Sequence, residues 1–119
     1  MVRVLVVEDE PDIRNVLADA LGDEGYQVDC AADGASALAL IRTGPADLAV
    51  VDLMMPGLDG YAFVRACRAS PLHARMPVVI VTAARKVDDP SLDVSAVIHK
   101  PFDLNDLLDT IIDLASPTG

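Results

Sequence analysis

The chain has 119 residues, 52% of them hydrophobic, which suffices for one domain with a core and leaves little room for a second. Nine basic against nineteen acidic residues give a formal net charge of -10, which disfavours nucleic acid and anionic membranes and suits cations and basic protein surfaces. No apolar run is long enough to span a bilayer, and Glu8-Asp9-Glu10 interrupts the first one before it could act as a signal peptide, so a cytoplasmic location is expected.

Aromatics make up only 3% and Trp is absent, so the core must come from Val, Leu, Ile and Ala. Arg3 to Val7 is a short β-branched run, the pattern of a strand covered on both faces. Pro11 suits the first turn of a helix, whose apolar stripe is Ile13, Val16, Leu17, Ala20 and Leu21. Gly22 and Gly25 are expected to end it. Tyr26 to Ala31 reads as a second strand. Asp33 caps a helix through Leu38 and Ile41, stopped by Gly44-Pro45. Asp47 to Val51 is a third strand ending at Asp52, and Asp59 is a cap for a helix carrying Phe63, Val64 and Cys67. Met76 to Val81 is a fourth strand ending at Thr82, and Val94 to Ile98 a fifth ending near Lys100. Asp103 caps the last helix, whose stripe is Leu104, Leu107, Leu108, Ile111, Ile112 and Ala115.

This alternation of strands and helices predicts an open, doubly wound parallel sheet with helices on both faces. Residues 1–115 form the domain and 116–119 the start of a tail. A helix belongs between the fourth and fifth strands. Pro90 and the scarcity of apolar anchors in 83–93 make that fourth helix short or irregular. The two cysteines, Cys30 and Cys67, have no metal-ligand spacing and read as two buried small hydrophobes. His73 and His99 are isolated, with surface or packing roles.

In sheets of this kind ligands bind beyond the carboxyl ends of the strands, where strand order reverses. Glu8 and Asp9 follow strand one, Asp52 ends strand three, Thr82 ends strand four, and Lys100 follows strand five. Singly, each has a plain reading as a turn, a strand end or a surface loop. Together they make a site. Three carboxylates in one cleft raise one another's pKa unless a cation neutralises them, and oxygen-only ligands favour Mg²⁺. Lys100 and Thr82 supply a positive charge and a hydroxyl for phosphoryl oxygens, which leaves Asp52 as the nucleophile.

Four motifs resemble the receiver domain of two-component response regulators: Val-Val-Glu-Asp-Glu at 6–10, Val-Asp-Leu-Met-Met-Pro-Gly-Leu-Asp-Gly at 51–60, Val-Thr-Ala at 81–83, and His-Lys-Pro-Phe at 99–102. Asp52, Pro56 and Gly60 match that family's D-xxx-P-xxx-G spacing. The resemblance covers essentially the whole chain. It implies a flavodoxin-like sheet of order 2-1-3-4-5, with Asp52 as phosphoacceptor for a sensor histidine kinase or histidine phosphotransfer protein. It also implies Mg²⁺ held by Asp9, by Glu8 through water, by Asp52 and by the carbonyl of Met54. Thr82 and Lys100 would grip the phosphoryl group, Ala83 would keep its approach open, and the Lys100–Pro101 bond would be cis.

Three departures from the family stand out. Glu8 replaces the commoner Asp. Val97 stands where a Tyr or Phe is usual, and Thr82 to Lys100 is shorter than usual by about four residues, roughly one helical turn. The expectation is therefore a signalling switch with intact phosphorylation chemistry, an atypical output route, an unknown downstream partner, and a monomer or weak dimer. Its only chemistry would be self-phosphorylation and autodephosphorylation at Asp52, without turnover of another substrate. The alternative is a phosphorylation-independent receiver-like interaction module. A Mg²⁺ phosphatase with an Asp nucleophile is disfavoured, because Asp52-Leu53-Met54 lacks the second acid such enzymes carry.

Overall fold

Alternate side chains of a strand point to opposite faces of its sheet, and here each face carries a separate half of the core. On one face Leu5, Val7, Ala49, Val51, Val78 and Ile80 pack with Ala37, Ile41, Phe63, Val64 and Cys67. On the other, Val4, Val6, Leu48, Val50, Val79 and Val81 pack with Leu17, Leu21, Leu107 and Ile111. Each such Val, Leu or Ile removed from water contributes roughly 1.5–3 kcal/mol.

The elements come from a computed structural model that describes residues 2–54, 60–83 and 93–115. In chain order they are β1 (Arg3–Val7), α1 (Pro11–Asp23), β2 (Gln27–Ala31), α2 (Gly34–Thr43), β3 (Leu48–Val51), α3 (Gly60–Ala69), β4 (Val78–Thr82), β5 (Ala96–His99) and α4 (Leu104–Ala115). The five strands form one parallel sheet of order β2-β1-β3-β4-β5, as the resemblance implied. Pro11 opens α1, and Asp33 Oδ1 caps α2 by accepting from Ser36 N at 2.7 Å. Asp103 Oδ1 caps α4 by accepting from Asn105 N at 2.8 Å and Asp106 N at 3.2 Å. The chain leaves α1 through Gly25, whose φ of 90° is a conformation glycine adopts without strain.

Several sequence readings need correction. Strands covered on both faces are found only at β1, β3 and β4; β2 and β5 each have one neighbour and keep exposed residues. Cys30, on edge strand β2, is consequently exposed, while Cys67 on α3 is buried as expected. Burial pushes the Cys67 thiol up to about 11, so it packs as an inert apolar group. Gly22 lies inside α1 rather than ending it. Val16 is 48% exposed because Leu17 and Leu21, one turn apart, already fill the contact with the sheet. Ile112 is only half-buried beside Ile111. The expected cap Asp59, the short helix over 84–92 and the tail 116–119 lie outside the described residues.

Arg68, at the end of α3, gathers the following turn. Its Nη1 donates to the carbonyls of His73 at 3.1 Å, Ala74 at 3.2 Å and Met76 at 2.9 Å, and its Nη2 to that of Asp93 at 2.9 Å. Within the turn, His73 is buried, its Nε2 accepting from Ala46 N at 3.4 Å and its Nδ1 lying 3.4 Å from Ser70 Oγ. Burial without a charged partner holds the His73 imidazolium below its ordinary range.

Candidate functional site

β1 and β3 are neighbours at the centre of the sheet, and the chain departs from them toward opposite edges. Their carboxyl ends therefore open a crevice that no crossover fills. The residues just past the strands are held by extensions of the sheet's own hydrogen bonding. Glu8 N donates to Ala31 O at 3.0 Å, Asp52 N to Val7 O at 2.9 Å, and Lys100 N to Thr82 O at 2.8 Å. Arg14, from the first turns of α1, donates from Nη1 to the Glu8 carbonyl at 3.0 Å.

Glu8 and Asp52 are 2% and 3% exposed. Carboxylates so deeply buried need partners. Lys100 Nζ lies 2.7 Å from Glu8 Oε1, 3.1 Å from Asp52 Oδ2 and 3.4 Å from Glu10 Oε1. The other Asp52 oxygen, Oδ1, accepts from Met54 N at 3.0 Å. Burial dominates at Glu8 and, with Asp52 beside it, pushes its carboxyl up to about 7 against the opposing pull of Lys100. At Lys100 burial disfavours the charge, but the hydrogen bonds to Glu8 and Asp52 outweigh it and raise the pKa.

Oxygen atoms of Glu8, Asp9 and Asp52 all lie within 4.8 Å of one another, the one such potential metal-ligand group among the described residues. A tight, oxygen-only donor set with net negative charge fits a hard divalent cation such as Mg²⁺. Thr82 is fully buried at the end of β4, and Ala83 after it is exposed. The Lys100–Pro101 bond is cis. Val97 lies on β5 opposite Ile80 and is 36% exposed, so the surface place of the usual aromatic carries a small aliphatic side chain.

Glu8, Asp9, Asp52 and Lys100, predicted from sequence, are thus brought together, with Thr82 at the adjoining strand end and Met54 contributing its N–H. The sequence reading did not assign three further residues to the site. Glu10 reaches Lys100, and its only sequence signal was membership of the Glu8-Asp9-Glu10 run. Arg14 holds a backbone carbonyl, which leaves no sequence signature. Gly60 was noted for its spacing alone, and the structure supplies the reason. A Cβ there would collide with the Asp52 carbonyl oxygen and lie 2.7 Å from Leu53 Cα. The start of α3 is pressed against the backbone that carries Asp52.

The family described as the response regulator receiver domain matches residues 4–112. The transcriptional regulatory protein TcrA of Mycobacterium tuberculosis is 42% identical over 110 residues, covering 89% of this chain and 43% of TcrA. Sensor histidine kinase TmoS of Ectopseudomonas mendocina is 38% identical over 120 residues, covering 96% of this chain and 12% of TmoS. This chain spans less than half the length of the curated relatives it matches. Chemotaxis protein CheY4 of Vibrio cholerae superimposes with a TM-score of 0.89 at 30% identity, covering 96% of this chain and 98% of CheY4. TrrA of Thermotoga maritima, solved in complex with Mg(2+)-BeF, gives a TM-score of 0.85 at 32% identity, covering 96% of this chain and 99% of TrrA.

Proposed function

This chain belongs to the response regulator receiver domain family, and from that premise we propose that it is a phosphoryl-accepting switch of a two-component phosphorelay with Asp52 as acceptor. The observation that carries this reading is the buried Asp52 carboxylate, bridged by Lys100 to Glu8 at the centre of the sheet's carboxyl edge. In the proposed transfer, an Asp52 carboxylate oxygen attacks the phosphorus of a phosphohistidine on a sensor kinase or phosphotransfer protein. A P–O bond forms, the P–N bond breaks, and the imidazole leaves with the electron pair. Lys100 exchanges a carboxylate partner for a phosphoryl oxygen, and the Thr82 hydroxyl donates to another. Glu8, Asp9, Asp52 and the carbonyl of Met54 would hold Mg²⁺. Its chemistry when bound is to neutralise charge on the phosphoryl oxygens. Hydrolysis of the acyl phosphate resets the switch; no other substrate is turned over.

The test is intact mass after incubation with acetyl phosphate, with and without Mg²⁺, on wild type and Asp52→Asn. A single phosphoryl adduct needing both the metal and Asp52 is the expected result. An adduct that persists in Asp52→Asn would remove the acceptor assignment. Folded wild type that takes no adduct would favour the second reading, a phosphorylation-independent interaction module, for which Val97 speaks.

The same residue supports an atypical output route, with weak or absent pairing through the β5–α4 face. Sedimentation of the beryllofluoride-bound protein checks this. A tight dimer joined through that face would overturn it.

A further inference from the structure

An ammonium group has three N–H donors, and Lys100 directs its three at three carboxylates: Glu8 at 2.7 Å, Asp52 at 3.1 Å and Glu10 at 3.4 Å. Two of these acids are buried and belong to the acceptor site itself. Glu10 differs. Its side chain is 59% exposed and its contact is the longest of the three. It occupies the position just before α1, and its side chain makes no bond to the first-turn N–H groups. Its carboxylate is turned to Lys100 instead, while its backbone carbonyl accepts from Arg14 N at 3.0 Å. Glu10 and Lys100 also share the wall of a groove of about 530 Å³, completed by Ile13, Ala83, Pro101 and Phe102. The rim of the acceptor site thus carries an exposed negative charge held by the longest of the Lys100 contacts.

We propose that Glu10 is a charge-selecting residue for the phosphoryl donor: its carboxylate occupies the outermost donor of Lys100 and disfavours small, free dianionic donors. The proposal rests on the reading of Asp52 as phosphoacceptor. Any donor must place phosphoryl oxygens against Lys100, and the weak, solvent-exposed Glu10 contact is the first to yield. A free dianion approaching the rim meets that displaced charge directly. A donor with less negative charge, or one bringing a basic group to the rim, meets a smaller barrier.

The experiment compares second-order labelling rates with acetyl phosphate, a dianion near neutral pH, and phosphoramidate, which carries less negative charge. Both are measured at saturating Mg²⁺ on wild type, Glu10→Gln and Glu10→Asp, at low and high ionic strength. Glu10→Gln is expected to speed acetyl phosphate about three- to tenfold at low salt and phosphoramidate clearly less, the gain shrinking toward unity in high salt. Glu10→Asp keeps the charge at the rim but shortens its reach to Lys100, and its gain with acetyl phosphate is expected to stay below that of Glu10→Gln, as a charge effect requires. Circular dichroism verifies that the variants are folded. Equal acceleration of both donors, no acceleration, or a salt-independent gain would overturn the selecting role while leaving Asp52 as acceptor. Wild type that labels with neither donor would overturn the acceptor reading, and this proposal with it.

Discussion

Lys100 and Glu8 stand 92 positions apart in sequence and 2.7 Å apart in space, closing the site from opposite ends of the chain. Lys100 is held by the β4–β5 ladder and Glu8 by β1, so the pair forms only after the sheet has assembled. Its position also makes Lys100 a resident competitor for any cation that binds Glu8, Asp9 and Asp52.

Replacing Lys100 with Met therefore acts in two directions. Without Mg²⁺, Glu8 and Asp52 face each other unpaired, and stability falls by roughly 3 kcal/mol, the scale for removing one partner of a buried ion pair. With Mg²⁺, the lost repulsion raises cation affinity by about tenfold. Thermal unfolding during Mg²⁺ titration reads both effects. The variant should start lower and gain more from saturating metal than wild type. Equal gains in the two proteins would mean that Lys100 does not compete.

Gly60→Ala tests whether the close approach of α3 to the Asp52 backbone matters. Alanine is the better helix former by up to about 1 kcal/mol. Here its methyl meets the Asp52 carbonyl oxygen and Leu53 Cα, backbone atoms that cannot step aside without moving Asp52. A net loss of about 1–3 kcal/mol is expected in urea unfolding, together with slower labelling of Asp52. A variant as stable as wild type would show that the contact relaxes freely.

His73 supplies a pH dependence whose sign can be worked out. Burial lowers its pKa in the fold, so the unfolded chain binds the proton more tightly. Well above pH 7 the residue is neutral in both states and has no effect. As pH falls through about 6.5, the unfolded state is protonated first and stability drops. Glu8, whose carboxyl stands at about 7 in the fold, takes up its proton in the same window with the opposite sign, so the His73 effect is read as a difference between two proteins. Between about pH 7 and 5.5 the urea midpoint of wild type should fall relative to that of His73→Gln, which keeps an acceptor for Ala46 N. The same slope in both proteins would assign the effect elsewhere.

The strand ends were legible because the chemical residues follow apolar runs: Glu8 directly after Val4–Val7, Asp52 directly after Leu48–Val51, and Lys100 separated only by His99 from Ala96, Val97 and Ile98. Which strands were edges was read poorly: β5 carries Val and Ile as the central strands do, and at β2 the polar Gln27 and Asp29 mark an edge that the sequence reading passed over. That is why Cys30 was misjudged. The role of Glu10 was hidden for another reason. Whether an acidic residue after a strand meets solvent or a lysine 90 residues away depends on the order of strands in space.

The Arg68 guanidinium has a consequence for the approach to the acceptor site. It holds the carbonyl of Asp93 from α3, and the β4–β5 ladder sets Lys100 from the other side. The chain that follows residue 92 is thus anchored twice before it reaches the site, at Asp93 by Arg68 and at Lys100 by the ladder. Arg68 thereby couples the end of α3 to the chain that leads into the lysine strand, so one guanidinium ties two sides of the domain to the approach of the acceptor site.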